Sequence, residues 1–581
     1  MTPSMSSMAP PSSMPSLPPI AAPRAEPSPV DLGGHVTTRA LHAVAALGAP
    51  ATVAPEARAR MAASSAWLAR CVEERRLIYG VTTGYGPLAR HHVDPEHAAT
   101  LQRNLLYHLA SGVGPPLPDV HVRALMAARA SSLARGVSGV GDAVFDLLLA
   151  CLARGVTPVV PEKGTVGASG DLTPLAHVAL VLIGEGRARH DGRERSGAEA
   201  LRSAGLAPVS LGHKEGLALV NGTSAMTGIA AVNAERARRA AALMARLAVL
   251  HAEVLGGHAE AWDARFGAAR PHPGQIAAHA LLGAHAAGSA RLTPSEQPPP
   301  RLDARMGADG LFSVEAPPQD PYTIRCVPQE LGAILDVLAF HERIVETELN
   351  AATDNPLVCA PDSERGAPGA VLHGGNFYGQ HVAFASDALA TAVIKLAAWS
   401  ERALARLTHP AYNGGLPAFL HGGPPGLSSG FMGAQVTATA LVAEMRTLAV
   451  PASVQTIPTN NDNQDVVTMG TIAARKASAL LDMAWQALAI QALALVQAAE
   501  RRARDAGVAS LDAAGFAPAG IALARAVRAV SRPLAEDRPL AGDIARAAQA
   551  LEAWAPLAAD PATDSALAPT TADGAPPAAR A

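Results

Sequence analysis

The chain runs to 581 residues with a formal charge of −3 and only 3% aromatic side chains. That length exceeds what one hydrophobic core sustains, so two or three subdomains are expected, and the abundance of alanine and leucine with few β-branched runs predicts a mostly helical protein. The near-neutral balance, with a pI near 6.7, leaves no footprint for nucleic acid or an anionic membrane and makes a small molecule the expected partner.

Residues 1–30 are rich in Met, Pro and Ser, lack an apolar run long enough for a secretory signal and hold one arginine, Arg24, so they read as a disordered tail. From about Val30 to residue 225, short helices alternate with Gly/Pro loops, giving an N-terminal domain over 31–225. Beyond Met226 the alanine-rich pattern, as in Asn233 to Ala264, predicts a bundle of long helices over 226–510, with further helices near 328–353, 378–408, 430–448 and 470–505. A helical segment over 511–555 and a disordered Ala/Pro/Thr-rich tail over 556–581 complete the chain. The irregular stretches 294–321, 360–373, 410–427 and 451–464 are too long for idle connectors and carry polar clusters, which marks them as functional.

Two features limit the class further. The apolar run Met483 to Val496 is interrupted by Gln486 and Gln491 and followed by Gln497 and Glu500, so a buried bundle helix is expected rather than a membrane span. Cys71, Cys151, Cys326 and Cys359 lie far apart without metal-ligand spacing, and are expected as reduced thiols in a cytoplasmic protein. No HExxH-like pair and no lysine in an evident pocket motif is present, which disfavours metal and pyridoxal phosphate chemistry.

The run Gly167-Ala168-Ser169-Gly170-Asp171-Leu172-Thr173-Pro174 carries the chemistry. Without a Cβ, Gly170 can bring its amide nitrogen to the carbonyl carbon of Ala168 and close a five-membered ring. Loss of water from Ser169 then leaves an exocyclic methylidene, an electrophile that needs no bound coenzyme. Thr173 followed by Pro174 predicts an N-cap and first helical position ahead of Leu175 to Ile183, with Gly184 and Gly186 as stops. The electrophile would sit before a helix N-terminus, where negative charge is favoured. Taken alone, the tripeptide reads as a tight turn feeding a helix; its flanks and the remaining motifs turn the reading toward chemistry. Upstream, Ile78-Tyr79-Gly80-Val81-Thr82-Thr83-Gly84-Tyr85-Gly86 places a tyrosine in a glycine-punctuated loop, suited to a phenolate base if positive potential converges on it.

Together these segments resemble the histidine and aromatic amino acid ammonia-lyases, whose prosthetic group, 4-methylidene-imidazol-5-one (MIO), forms autocatalytically from Ala-Ser-Gly. The resemblance spans about residues 32–555 and continues through Asn221-Gly222-Thr223-Ser224, Gln319 to Cys326, Thr353-Asp354-Asn355-Pro356, Gly375-Asn376-Phe377 and Asn463-Gln464-Asp465. It implies the mostly α, long-helix bundle of the fumarase/aspartase-like type, and a homotetramer whose active sites each draw on three subunits. It implies Tyr79 as catalytic base, Ala168, Ser169 and Gly170 as the cofactor-forming residues, and Asn221, Tyr322 and Arg325 at the reaction centre. Tyr322 would shuttle a proton or pack; Arg325 offers a planar fork to the substrate carboxylate. The resemblance further implies Gly86, Phe377, Asn460 and Asn463 as substrate-binding positions.

Two positions bear on which amino acid is used. The pair His108-Leu109 resembles that of tyrosine-selective members, and an imidazole nitrogen can bond a phenolic hydroxyl. Gln464 stands where histidine-selective members have glutamate, and a neutral amide suits an uncharged ring. Asn461-Asp462 departs from the small apolar residues usual in bacterial tyrosine lyases, and Tyr85 and Tyr378 occupy variable positions. The expected reaction converts L-tyrosine to trans-p-coumarate and ammonia, with phenylalanine poorer. The alternatives are histidine ammonia-lyase activity, a tyrosine 2,3-aminomutase and, from a different class, a catalytically silent helical scaffold.

Overall fold

The computed structural model describes residues 27–294, 318–362, 364 and 366–554. The two expected tails, apart from residues 27–30, and most of the expected loop over 294–321 lie outside the described residues. Five long helices dominate the rest: Ser224–Leu255, Val327–Leu349, Gln380–Thr408, Met432–Thr447 and Gly470–Asp505. Their alanine-rich faces have high helix propensity and leave little side-chain bulk between axes, so the helices pack closely along their lengths.

The apolar helices Gln380–Thr408 and Gly470–Asp505 are long enough to cross a membrane by length and composition, yet most of each is buried against its neighbours. The expected buried stretch Met483 to Val496 lies inside the second; Gln486 within it is exposed, while Gln491 and the following Gln497 are buried cross-links. Gln491 accepts from the Ser400 hydroxyl at 2.7 Å, and Gln497 Nε2 donates to the Leu420 and Leu534 carbonyls. Gln497 is thereby satisfied, whereas Gln491 is held through its oxygen alone and its Nε2 has no partner among the described residues.

Two large cores meet end to end. One comprises bundle residues from Ala237 to Leu551; the other is built from residues 32–232 together with Val345, Leu349, Val382 and Ala474. The helix Ser224–Leu255 runs through both, so the N-terminal ends of three bundle helices plug into the loop-rich block. Strands are short: Leu357–Cys359 pairs antiparallel with Ala370–Leu372, so the stretch expected to be irregular over 360–373 carries the second strand of that pair.

One local expectation is corrected. The helix predicted to start at Pro174 with Thr173 as its cap begins at Leu172, with Asp171 in the capping position. Pro174 still falls within the first turn, where a missing N–H costs nothing. The Asp171 carboxylate does not cap its own helix; two bundle helices take it instead.

Candidate active site

Gly170 adopts φ +72°, and a Cβ there would lie 2.1 Å from the Gly222 carbonyl oxygen, so only glycine fits. Gly170 forms backbone bridges with both Ala168 and Gly222, and the Asp171 N–H donates to the Gly222 carbonyl at 2.7 Å. Asn221, 5% exposed, donates from Nδ2 to the Ser169 carbonyl at 3.2 Å, while its Oδ1 is buried without a partner among the described residues. The sequence brings these groups together because Asn221 and Gly222 follow the short helix Glu215–Val220 and lead directly into the helix Ser224–Leu255.

Four helix N-termini converge on this loop. Leu172–Leu182 leaves from it; the Met226 N–H donates to Asp171 Oδ2 at 2.7 Å; the Thr471 hydroxyl donates to Asp171 Oδ1; and Gly379, before Gln380, packs on Met226. Such an arrangement concentrates positive potential at the tripeptide. Burial pushes the Asp171 carboxyl up to about 6, against the opposing pull of its Thr471 and Met226 hydrogen bonds.

A second cluster faces Ser169 from two loops. Gln464 Nε2 donates to Ser169 Oγ at 3.1 Å, and its orientation is fixed because the Thr459 hydroxyl donates to Oε1 at 2.8 Å. Between Thr459 and Gln464 the backbone turns through Asn460, Asn461 and Asp462 at φ +57°, +53° and +58°. Asn and Asp tolerate that left-handed region better than other side chains, which gives the unexpected Asn461-Asp462 pair a physical reason. Asn460 lies against Gly86, where a Cβ would come within 2.5 Å of its Nδ2; Asn463 is exposed and donates its N–H to the Asn460 carbonyl.

The Gly86 N–H in turn donates to the Tyr79 hydroxyl oxygen at 2.9 Å. Tyr85 stands edge-on to Tyr79, with ring centres 6.3 Å apart, and 6.5 Å from the His108 ring. Burial, with Tyr79 alongside, holds the Tyr85 phenol above its ordinary range, so it presents a neutral ring edge. His108 is exposed and its Nδ1 lies 3.1 Å from the Asn104 carbonyl; Leu109 is half-buried against the N-terminal core. Phe377 is half-buried two residues before Gly379, on the same end of the bundle.

Tyr322 and Arg325 are elsewhere. Their short helix sits at the far end of Ser224–Leu255, where Ile324 and Ala252 both crowd Gly257, and the Trp399 indole donates to the Thr323 carbonyl. At 1.5 Å per residue, the path from Met226 to Ala252 or from Gln380 to Trp399 separates them from Ser169 by roughly 30–40 Å. Tyr322 is 69% exposed, Arg325 stacks over its ring at 4.5 Å, and Arg325 Nε is buried without a hydrogen bond among the described residues. A cavity of about 270 Å³ opens there, lined by His258, Glu260, Asp320 and Arg325.

A family model described as aromatic amino acid lyase matches residues 36–528. The chain belongs to the aromatic amino acid lyase family. This lyase is 50% identical over 529 residues to a tyrosine ammonia-lyase of Cereibacter sphaeroides, covering 91% of this chain and 98% of that one. It is 43% identical to a histidine ammonia-lyase of Symbiobacterium thermophilum, over 89% of this chain and 95% of the other. A tyrosine aminomutase structure from Streptomyces globisporus superposes with a TM-score of 0.82 at 37% identity, covering 91% of this chain and 97% of that one. The expected family, fold class and carbon–nitrogen lyase assignment are borne out.

Sequence reasoning gave no role to Asp171, Thr459 or Thr471, which tie the lyase's tripeptide loop to the bundle and orient Gln464. The available signal was Asp171 itself, the one carboxylate between Glu162 and Glu185.

Proposed function

We propose that this lyase removes ammonia from L-tyrosine to give trans-p-coumarate, using an MIO group made from Ala168, Ser169 and Gly170. The residues present fit that group. The turn that only glycine permits at 170 favours bond formation from its nitrogen to the Ala168 carbonyl carbon, and the unpartnered Asn221 Oδ1 offers an acceptor beside Ser169. The Ala168 oxygen departs as water with the hydrogens of the Gly170 and Ser169 nitrogens. The Ser169 hydroxyl departs as a second water with the α-hydrogen. The resulting group supplies an electron-poor alkene toward the substrate amine.

The chain's own residues do the rest. Tyr79 takes the β-proton, with the Gly86 N–H aimed at its oxygen to stabilise negative charge there. The converging helix N-termini favour charge that develops near Ser169. His108 is the observation that carries tyrosine over other amino acids. A carbonyl can only accept, so Nδ1 of the neutral ring donates to Asn104, and Nε2 is left as an acceptor for a phenolic O–H. A site built for that bond discriminates against phenylalanine. The neutral Gln464 amide at Ser169, in place of a carboxylate, supports tyrosine over histidine.

The substrate carboxylate is assigned to Arg325 of the partner subunit. The distance between Ser169 and Arg325 within one chain supports a site shared among subunits of a homotetramer. Exposed Phe384, Met432 and Val436 on the bundle helices supply apolar surface for such an assembly. Four unpaired cysteines support a cytoplasmic setting.

The test is turnover of the purified full chain on tyrosine, phenylalanine and histidine, with products separated by chromatography. p-Coumarate from tyrosine is expected to dominate. Urocanate as the dominant product would reassign the substrate, β-tyrosine would make the protein an aminomutase, and no product from any of the three would leave a silent scaffold.

A further inference from the structure

Arg129, on the helix Asp119–Leu133, is 1% exposed and stands directly behind the peptide that grips the cofactor-forming turn. Its Nη1 donates to the Asn221 carbonyl at 2.8 Å, and a Cβ on Gly222 would lie 2.2 Å from that nitrogen. The absence of a side chain at 222 therefore lets the guanidinium touch backbone. The next carbonyl along, that of Gly222, accepts from Asp171 and abuts Gly170. One side of the Asn221–Gly222 segment is thus held by a buried cation and the other presses on the residue whose nitrogen must close the ring.

The charge behind the peptide is itself anchored. Asp354 and Asp171 are the carboxylates that face Arg129, and Asp354 is fixed by Lys214, whose Nζ donates to Oδ2 at 2.6 Å and to the Ser138 carbonyl at 3.0 Å. Lys214 and Asp354 have no exposed side-chain surface. Arg129 Nε and Nη2 have no hydrogen-bond partner among the described residues. A buried guanidinium with two unpaired nitrogens is a poor way to gain stability, since its desolvation is only partly offset. Its placement makes sense for what it does to the peptide it touches.

We propose that Arg129 is a positioning residue for the cyclisation: by pinning and polarising the Asn221–Gly222 peptide, it keeps Gly170 turned so that its nitrogen meets the Ala168 carbonyl carbon. It touches neither substrate nor reacting atoms. The inference rests on the reading that Ala168, Ser169 and Gly170 cyclise, with the two waters leaving as described above.

The experiment is cell-free synthesis of the full chain, a time course of the mass of the Ser169 peptide, and isolation of the folded fraction by gel filtration and circular dichroism. Losing a charge-assisted hydrogen bond of ordinary strength is expected to slow loss of the two waters about ten-fold in folded Arg129→Met. Arg123→Met is the matched control. Arg123 lies on the same helix and bonds the Val44, Ala45 and Leu152 carbonyls, away from the tripeptide. It should be less stable yet cyclise at the wild-type rate.

Wild-type kinetics in folded Arg129→Met would overturn the proposal, as would equal slowing in the Arg123 control. If Arg129→Met yields no folded protein, Arg129→Lys and Arg129→Gln decide. Lysine keeps a charge able to donate to the Asn221 carbonyl, so a near-wild-type rate in folded Arg129→Lys together with slower water loss in folded Arg129→Gln supports the role, and an unchanged rate in Arg129→Gln refutes it. A wild-type peptide that loses no water would instead overturn the parent reading.

Discussion

Co-expressing Tyr79→Phe with Arg325→Met is expected to recover activity from two chains that are each silent. Tyr79 and Ser169 are joined through Gly86, Asn460 and Gln464 at one end of the bundle, while Arg325 lies beside Gly257 at the other. Twenty-six residues of helix between Met226 and Ala252 correspond to about 39 Å, several times the reach of an arginine side chain. A tyrosine-sized substrate cannot span that gap, so under the proposed function each working site takes Tyr79 and Arg325 from different chains. With random mixing in a closed oligomer, each of the two positions is intact half the time, so about one quarter of sites are whole. The assay is initial rate of p-coumarate formation at fixed total protein, against each variant alone and against the two mixed after separate purification. No recovery on co-expression, with mixed oligomers verified by tagged pull-down, would refute the shared-site reasoning.

Other substitutions probe the pocket and the loop. Gly170→Ala places a Cβ 2.1 Å from the Gly222 oxygen at φ +72°, costing about 1–2 kcal/mol in backbone conformation alone plus the clash. The chain should fold with a lower melting temperature and fail to turn over; wild-type turnover would show that the close approach is unnecessary. His108→Phe removes the acceptor offered to the phenol. The ratio of kcat/KM for tyrosine to that for phenylalanine should fall about ten- to a hundred-fold, for a lost hydrogen bond of about 1.5–3 kcal/mol, and an unchanged ratio would remove His108 from the specificity argument. Asp171 is raised to about 6 in the folded chain, from an ordinary value of 3.8. Its contribution to stability is therefore present in full below pH 4 and lost as pH rises through 6. Asp171→Asn should flatten that part of the melting-temperature profile; an identical slope in the variant would place the effect on another group.

Much of the bundle could be read from sequence because its signal is local. The helices expected over 328–353, 378–408, 430–448 and 470–505 are observed as Val327–Leu349, Gln380–Thr408, Met432–Thr447 and Gly470–Asp505. Periodicity and alanine content act within each segment. The cap at Thr173 was misplaced because Asp171, the true capping position, spends its carboxylate on Met226 and Thr471, residues 55 and 300 positions away. No local pattern announces such a tertiary demand. The site is similarly divided. The tripeptide and Tyr79 were legible as chemistry, but the separation of Arg325 from Ser169 depends on the path of the helices between them. The role of Arg129 was hidden because a buried arginine in an alanine-rich helix looks like any other helical charge.

The most direct measurement of the central claim is the mass of the proteolytic peptide containing Ser169, taken from purified protein that is turning over tyrosine. The account predicts a peptide lighter than its sequence by two waters, with both losses confined to Ala168, Ser169 and Gly170 on fragmentation. An unmodified peptide from fully active protein would contradict it.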